Sequence, residues 1–311
     1  MANYSFKKEV EVFIVSGGSR YKIDVTDVEF GQTFKETSFP VKTLHTQTNV
    51  FEASAINTAN VANFSFSFPA IVEADYTIIE TLLLNVSQFD LFVKTAADIF
   101  KVTGCVITNG SFRIERSGLL SIDIEGDAEK VQRGQSLTGS LQSRSATKNY
   151  TIPTGLTVSI DGTNLNFVTS IKLELQNEVR WNRYTTVNSA ISATNTLTSM
   201  YPSGFTLSKK ILSGSITEYL TNINASDAQG WSKTASIQIK AGNGQSGASF
   251  RGFHFGPATC SFTNRVSSGD VFMQSYDWRM TQNPTNLANE LQYITAVSYT
   301  HLRAHETPEH R

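Results

Sequence analysis

Four acids near the middle of the chain, Asp123, Glu125, Asp127 and Glu129, alternate at strand spacing and would project from one face. Carboxylates so placed can bind a cation or act as the acid and base of sugar hydrolysis. A solvated strand end running into a linker has the same pattern, and that is the reading adopted. A nucleophile needs a base held nearby, yet there is no Gly-x-Ser-x-Gly elbow. Of the histidines, His45 sits in a polar stretch and His254 between Phe253 and Phe255, and both read as structural. His301 and His305, with Glu306 adjacent, have the spacing of two metal ligands on a helix but lie in a tail set aside below. The glycines of 241–247 lack the Lys-Ser or Lys-Thr ending of a phosphate loop and read as a turn. Trp181, Trp231 and Trp278 could stack on sugars or bases, but without interleaved basic residues they read as buried anchors. Cys105 and Cys260 are too few for a zinc site or a disulfide scaffold. No catalytic, cofactor-binding or metal-ligating residue is assigned, and no cofactor is expected.

The composition agrees with a protein that works by packing. The 311 residues are 40% hydrophobic, enough for a buried core and more natural as two modest domains than as one. Lys and Arg total 26 against 27 Asp and Glu, so no basic surplus exists to grip nucleic acid. No stretch approaches the ~20 apolar residues of a membrane helix or has the layout of a signal peptide, so an intracellular, non-membrane protein is expected.

Residues 297–307 match, residue for residue, one reading frame of a common transposon-based sequencing adapter. They and residues 308–311, read as barcode, are set aside as non-native, and the natural C-terminus is expected to differ. The segment carries two arginines, two glutamates and three histidines, so its exclusion leaves the net charge at −1.

The elements that would position any site are strands. Val10, Val12 and Ile14 line one face of a first strand, Phe64, Phe66 and Phe68 alternate with Ser65 and Ser67, and Leu120, Ile122 and Ile124 flank Ser121 and Asp123. Leu156, Val158 and Ile160 repeat the habit and run into Asp161-Gly162, a tight hairpin turn where positive φ is tolerated. Ile171, Leu173 and Leu175 follow. A helix is expected over 75–86 from the stripe Ile78, Ile79, Leu82, Leu83 and Val86, with a short counterpart over 215–221.

Three ordered matches indicate duplication. Residues 25–30 and 168–173 share Val-Thr-x-apolar-charged-apolar; residues 105–109 and 260–264 both begin with Cys and end in Thr-Asn; Ser117-Gly118 matches Ser268-Gly269. The offsets are 143, 155 and 151 residues. The expected organisation is a first domain over 1–124, a linker over 125–155, a second domain over 156–296, and the tail 297–311. The polar segments 32–62 and 176–204 are too long for hairpin loops and are expected to order only when copies of the chain stack.

Residues 156–162, 168–175 and the polar stretch through Arg183-Tyr184 resemble the opening hairpin and following arm of the tail tube proteins of long-tailed bacteriophages. The first half resembles them through residues 21–30, 32–62 and the strand after Ser117-Gly118, without an Asp-Gly copy. The resemblance covers roughly residues 9–290. It implies a mainly β fold of tandem tail-tube-like β-sandwich domains, each with a short flanking helix, in a structural virion protein that is not an enzyme. It further implies rings of three chains, stacked into a tube that DNA transits without specific binding. The implied partners are the chain itself, a tape measure and a tail terminator, with assembly in the host cytoplasm and no membrane. The alternatives are a tube initiator or baseplate tube-like protein, separable by copy number, and a carbohydrate-binding two-domain module, separable by a glycan array.

Overall fold

A computed structural model describes residues 7–40, 52–69, 73–115, 121–143, 155–182, 200–221, 232–242 and 250–280. In chain order the first half contains β1 (Glu11–Ser16), β2 (Ser19–Ile23), β3 (Asp27–Gly31), β4 (Phe34–Pro40), β5 (Glu52–Ala59), β6 (Ala62–Pro69), α1 (Glu73–Asn85), β7 (Phe89–Lys94), β8 (Ile99–Glu115), β9 (Ser121–Ala128), β10 (Lys130–Gln132) and β11 (Ser140–Leu141). The second half contains β12 (Gly155–Ile160), β13 (Thr163–Leu165), β14 (Val168–Trp181), β15 (Phe205–Tyr219), β16 (Ser232–Gly242), β17 (Phe250–Ser268) and β18 (Phe272–Met280). The fold is mainly β, and no described helix is long and apolar enough to cross a membrane.

Each half is built on one long strand shared by two branches. In the first, β8 pairs β7 over residues 99–105 and β9 over 106–113, giving the branches β2-β1-β7-β8 and β3-β6-β9-β8. In the second, β17 plays the part of β8, giving β13-β12-β16-β17 and β14-β15-β18-β17. The register repeats as well as the order. Val28, Phe66, Ile124 and Gly110 stand opposite one another across one branch; Ile171, Ile216, Tyr276 and Asn264 do so across its copy. Cys105 lies opposite Phe89 and Cys260 opposite Ala235, each beside a register shift, so the bulges are duplicated too.

The inward side chains follow from the alternation. Phe64, Phe66, Phe68, Ile122 and Ile124 are buried, and Phe64 meets Phe89 of the other branch edge-on at 5.7 Å between centroids. α1 covers this core with Ile79, Leu82 and Leu83, and Leu83 packs where Gly110 leaves room: a Cβ there would lie 2.6 Å from its Cδ2. The helix ends on Val86 at φ 52°, with the Ser87 N–H reaching the Leu82 carbonyl, so burial of Val86 offsets the strain of its left-handed backbone. In the second half, Glu218, Gln274 and Tyr276 occupy the places of Phe68, Ile122 and Ile124, and the Tyr276 hydroxyl donates to Glu218 Oε1 at 2.8 Å.

The expected helix over 75–86 is α1. Four expectations need correction. Residues 215–219 finish β15 rather than forming a helix, because Ile216 packs inward while Ser215 and Thr217 alternate with it. Residues 125–143 are not simply a linker: buried Gly126 and Ala128 complete β9, β10 returns along β8, and β11 adds to β2. Within 32–62, β4 and β5 form a hairpin in the single chain, with Phe34 opposite Ala59 and Pro40 opposite Glu52. The first half does have a copy of the Asp-Gly turn. Gly17 and Gly18 take φ 56° and 80°, against 50° and 81° at Asp161 and Gly162.

Candidate assembly surface

The acids that invited a catalytic reading are held apart along β9. Asp123 accepts from Ser67 Oγ at 2.6 Å, Glu125 from Asn109 Nδ2 at 3.5 Å, and Asp127 from Trp181 Nε1 at 3.2 Å. Glu129 accepts the Gly204 N–H at 3.4 Å. Each thus joins β9 to a different neighbour, and among the described residues no group of three or more His, Cys, Asp or Glu could hold a metal. Trp278 is 3% exposed and faces the core, while Trp181 is half-buried against Phe205. Cys105 is a free thiol whose burial raises its pKa well above the ordinary value. His254 lies on β17 opposite Gln238. His45, Trp231, residues 243–247, His301 and His305 fall outside the described residues.

What pattern reading did not single out is where the sheets end. β8, the last strand of the first half's branch, pairs with β14, the first strand of its copy, from Asn109 opposite Gln176 to Glu115 opposite Ser170. The two branches thereby merge into one continuous sheet, β3-β6-β9-β8-β14-β15-β18-β17. Phe112, opposite Leu173, is buried by this pairing.

Side chains of the second half fasten the junction onto the first. Asn177 is 3% exposed, and its Nδ2 donates to the Leu83 carbonyl at the end of α1 (3.1 Å) and to the Ile107 carbonyl at the β8 bulge (3.0 Å). Lys210 Nζ donates to the neighbouring Leu84 carbonyl, and burial lowers its pKa. Two carbonyls that the last helical turn leaves without intrahelical partners are satisfied in this way.

The duplication then leaves two unmatched edges. β3 is the copy of β14, and among the described residues it pairs only with β6. The last part of β17 is the copy of the β8 segment that pairs with β14, and among the described residues, 264–268 pair only with β18. Exposed apolar side chains collect beside that second edge: Val266 (44%), Val271 (52%) and Phe272 (57%). The β4–β5 hairpin shows Phe34 and Ile56 in the same way. Its base is tied to the second half by the Ala59 N–H donating to the Met200 carbonyl at 3.0 Å, and by Phe34 meeting Tyr201.

The fold is a twofold-repeated β-sandwich that leaves, among the described residues, one strand edge open in each half, the build of a protein that associates through its sheets. Residues 30–280 match the family described as phage tail tube protein, and the chain belongs to that family. It is thus a structural protein of the bacteriophage virion tail, of a family that is not one of enzymes. No curated protein matches the chain. The family match begins at the end of β3 and runs to the end of β18, and so takes in both halves.

Proposed function

We propose that the chain closes head-to-tail rings of three copies, each supplying two tube-like domains, the first carried beyond the expected boundary at 124 by β9 to β11 and the second over 156–296, and that the rings stack into the tube through which DNA passes. The observation that carries this reading is the β8–β14 junction. A joint that fits the end of one half to the start of the next leaves, among the described residues, the same two edges open at the ends of the continuous sheet. A heterologous contact of that kind builds a ring when its rotation closes and a filament when it does not. Closure also removes the exposed edges that would otherwise recruit other strands.

The outward face of the continuous sheet suits a lumen. On that face Ser65, Ser67 and Ser111 of the first half alternate with its buried residues, and Ser213, Ser215 and Thr217 do so in the second. Asp27, Glu29, Asp123, Glu125 and Asp127 add negative charge on the first half's share. A face without a basic surplus lets a polyanion slide rather than holding it. Inside the tube a tape measure would occupy this lumen during assembly, and a tail terminator would stop growth at one end.

Electron microscopy and native mass spectrometry of the purified chain test the proposal together. Rings or tubes with three protomers per ring are expected. A ring of six protomers would leave only one half of each chain as a ring element, and a persistent monomer would overturn ring formation altogether.

A further inference from the structure

We infer that the 264–268 edge of β17 receives β3 of a second copy of this chain, antiparallel and in one register, with Phe30 of one copy opposite Val266 of the next. The inference rests on the ring reading above and specifies its joint.

The register follows from the duplication. Across the first half, Val28 leads through Phe66 and Ile124 to Gly110 on β8, and Gly110 stands opposite Leu175 of β14. Across the second half, Ile171 leads through Ile216 and Tyr276 to Asn264 on β17. Asn264 is therefore the copy of Gly110, and Val28 the copy of Ile171. Leu175 lies four residues beyond Ile171, so its copy is Gln32. Carrying the β8–β14 pairing over sets Asn264 opposite Gln32, Val266 opposite Phe30 and Ser268 opposite Val28 of the neighbouring copy.

Two features suit this partner, one on each face of the sheet. Phe112 is 6% exposed because Leu173 lies opposite it, whereas its copy Val266 is 44% exposed with no such neighbour among the described residues. Phe30 is the copy of Leu173 and would cover Val266 on the core side, extending the apolar layer across the joint. On the outer face, Glu29 would come opposite Ser267 and diagonal to Arg265, an opposite-charge pair of the kind that supports antiparallel strands. Glu29 and Arg265 are both well exposed, at 72% and 69% of their side chains, and each would add this contact to an ion pair within its own chain, with Lys7 at 3.6 Å and Asp277 at 2.7 Å.

The two kinds of joint in the ring are also unequal. The polar clamp of Asn177 on the Leu83 and Ile107 carbonyls belongs to the joint within the chain. Counting from the same register, the copy of Asn177 is Phe34, an apolar side chain 44% exposed. At that position the joint between chains thus carries an apolar side chain where the joint within the chain has its polar clamp.

The test is disulfide trapping in the full chain. Glu29→Cys with Ser267→Cys places two thiols directly opposite across the joint, within the Cα separation a disulfide accepts. Glu29→Cys with Thr263→Cys is displaced by four residues, on the order of 13 Å along the strand. Mild oxidation of the assembled protein is expected to give a reducible ladder ending at three chains for the first pair and at most traces for the second. Arg113→Cys with Lys172→Cys, opposite within the chain, should close without a change in mass. Amide exchange of the unmodified protein gives a second readout that needs no variant, with new protection expected at 28–31 and 264–268 on assembly. Rings seen by electron microscopy together with no ladder from the first pair, or a stronger one from the second, would overturn this register and leave the ring proposal standing. Absence of rings from the unmodified chain would overturn the ring proposal itself.

Discussion

Trp278 on β18 lies directly opposite Gly214 on β15, and its indole covers the glycine so closely that a Cβ there would stand 2.6 Å from Cζ2. The same Cβ would be 2.3 Å from the Lys172 carbonyl oxygen. In the first half the pair is reversed: Phe64 on β6 stands opposite Gly126 on β9, whose Cβ would lie 2.3 Å from the phenyl Cζ. One large ring and one bare backbone fill the same space in each half, with the strands exchanging roles. Gly214→Ala and Gly126→Ala should each destabilise the chain by about 1–3 kcal/mol through overpacking, since the backbone carbonyl cannot move aside as a side chain could. Urea unfolding measures this; a loss below experimental error at both positions would refute the complementarity.

This exchange also explains how far the fold could be read from residue patterns. Alternation located the strands of Phe64–Phe66–Phe68 and Ile171–Leu173–Leu175, and the match of 25–30 with 168–173 identified two strands that are true structural copies. The Cys105 and Cys260 match likewise joined equivalent bulged positions. Where large and small residues change sides, as with Phe64 and Trp278, aligned positions share no residue type and the copy becomes invisible. The core row Phe68, Ile122 and Ile124 turning into Glu218, Gln274 and Tyr276 hides it further. The assembly edges could not be read at all, because an edge is defined by what fails to pair and not by which residues compose it. The β4–β5 hairpin escaped because its polar strands carry no strict alternation to mark them.

Asn177 is expected to hold the two halves together. Asn177→Ala withdraws donors from two carbonyls, Leu83 and Ile107, at a buried joint. Leaving such groups unsatisfied costs about 1–3 kcal/mol each, so a loss of about 2 kcal/mol or more is predicted. Faster amide exchange near 83–84 and 107–109 should accompany it. A variant with the unfolding midpoint of the parent would show that the clamp contributes nothing.

Glu11 gives a pH signature confined to the first half. Hydrogen bonds from Lys22 (2.5 Å) and Lys94 (2.6 Å) lower its carboxyl pKa from the usual 4.5 to about 2. The folded value lies below the unfolded one, so the stabilisation is complete above pH 4.5 and is lost as pH falls from there towards 2. With the side chain 34% exposed, solvent screening keeps the effect modest. Glu11→Gln should therefore unfold at lower urea than the parent at pH 7, with the two midpoints converging near pH 2. A gap between them that does not change with pH would exclude the carboxylate as its source.

The β4–β5 hairpin is predicted to stack rings rather than close them. Its base is fixed, since the Asn60 N–H donates to the Thr33 carbonyl at 2.9 Å and Ala59 is bound to Met200. Beyond the base, a two-stranded ribbon is only marginally stable by itself, and this one leaves Ile56 52% exposed. A ribbon carrying an uncovered apolar residue gains most from lying against a neighbour. The joint edges β3 and β17, and Phe34 beside them, lie outside residues 38–54, so the two functions can be cut apart. Replacing residues 38–54 with Asn-Gly keeps Thr37 and Ala55, which stand opposite each other, and closes them with a two-residue turn. Single rings should persist in electron micrographs while tubes disappear, and Ile56→Asp should shorten tubes without abolishing rings. Tubes of normal length from the shortened hairpin would assign stacking to another part of the chain, and loss of rings would show that the hairpin also serves closure.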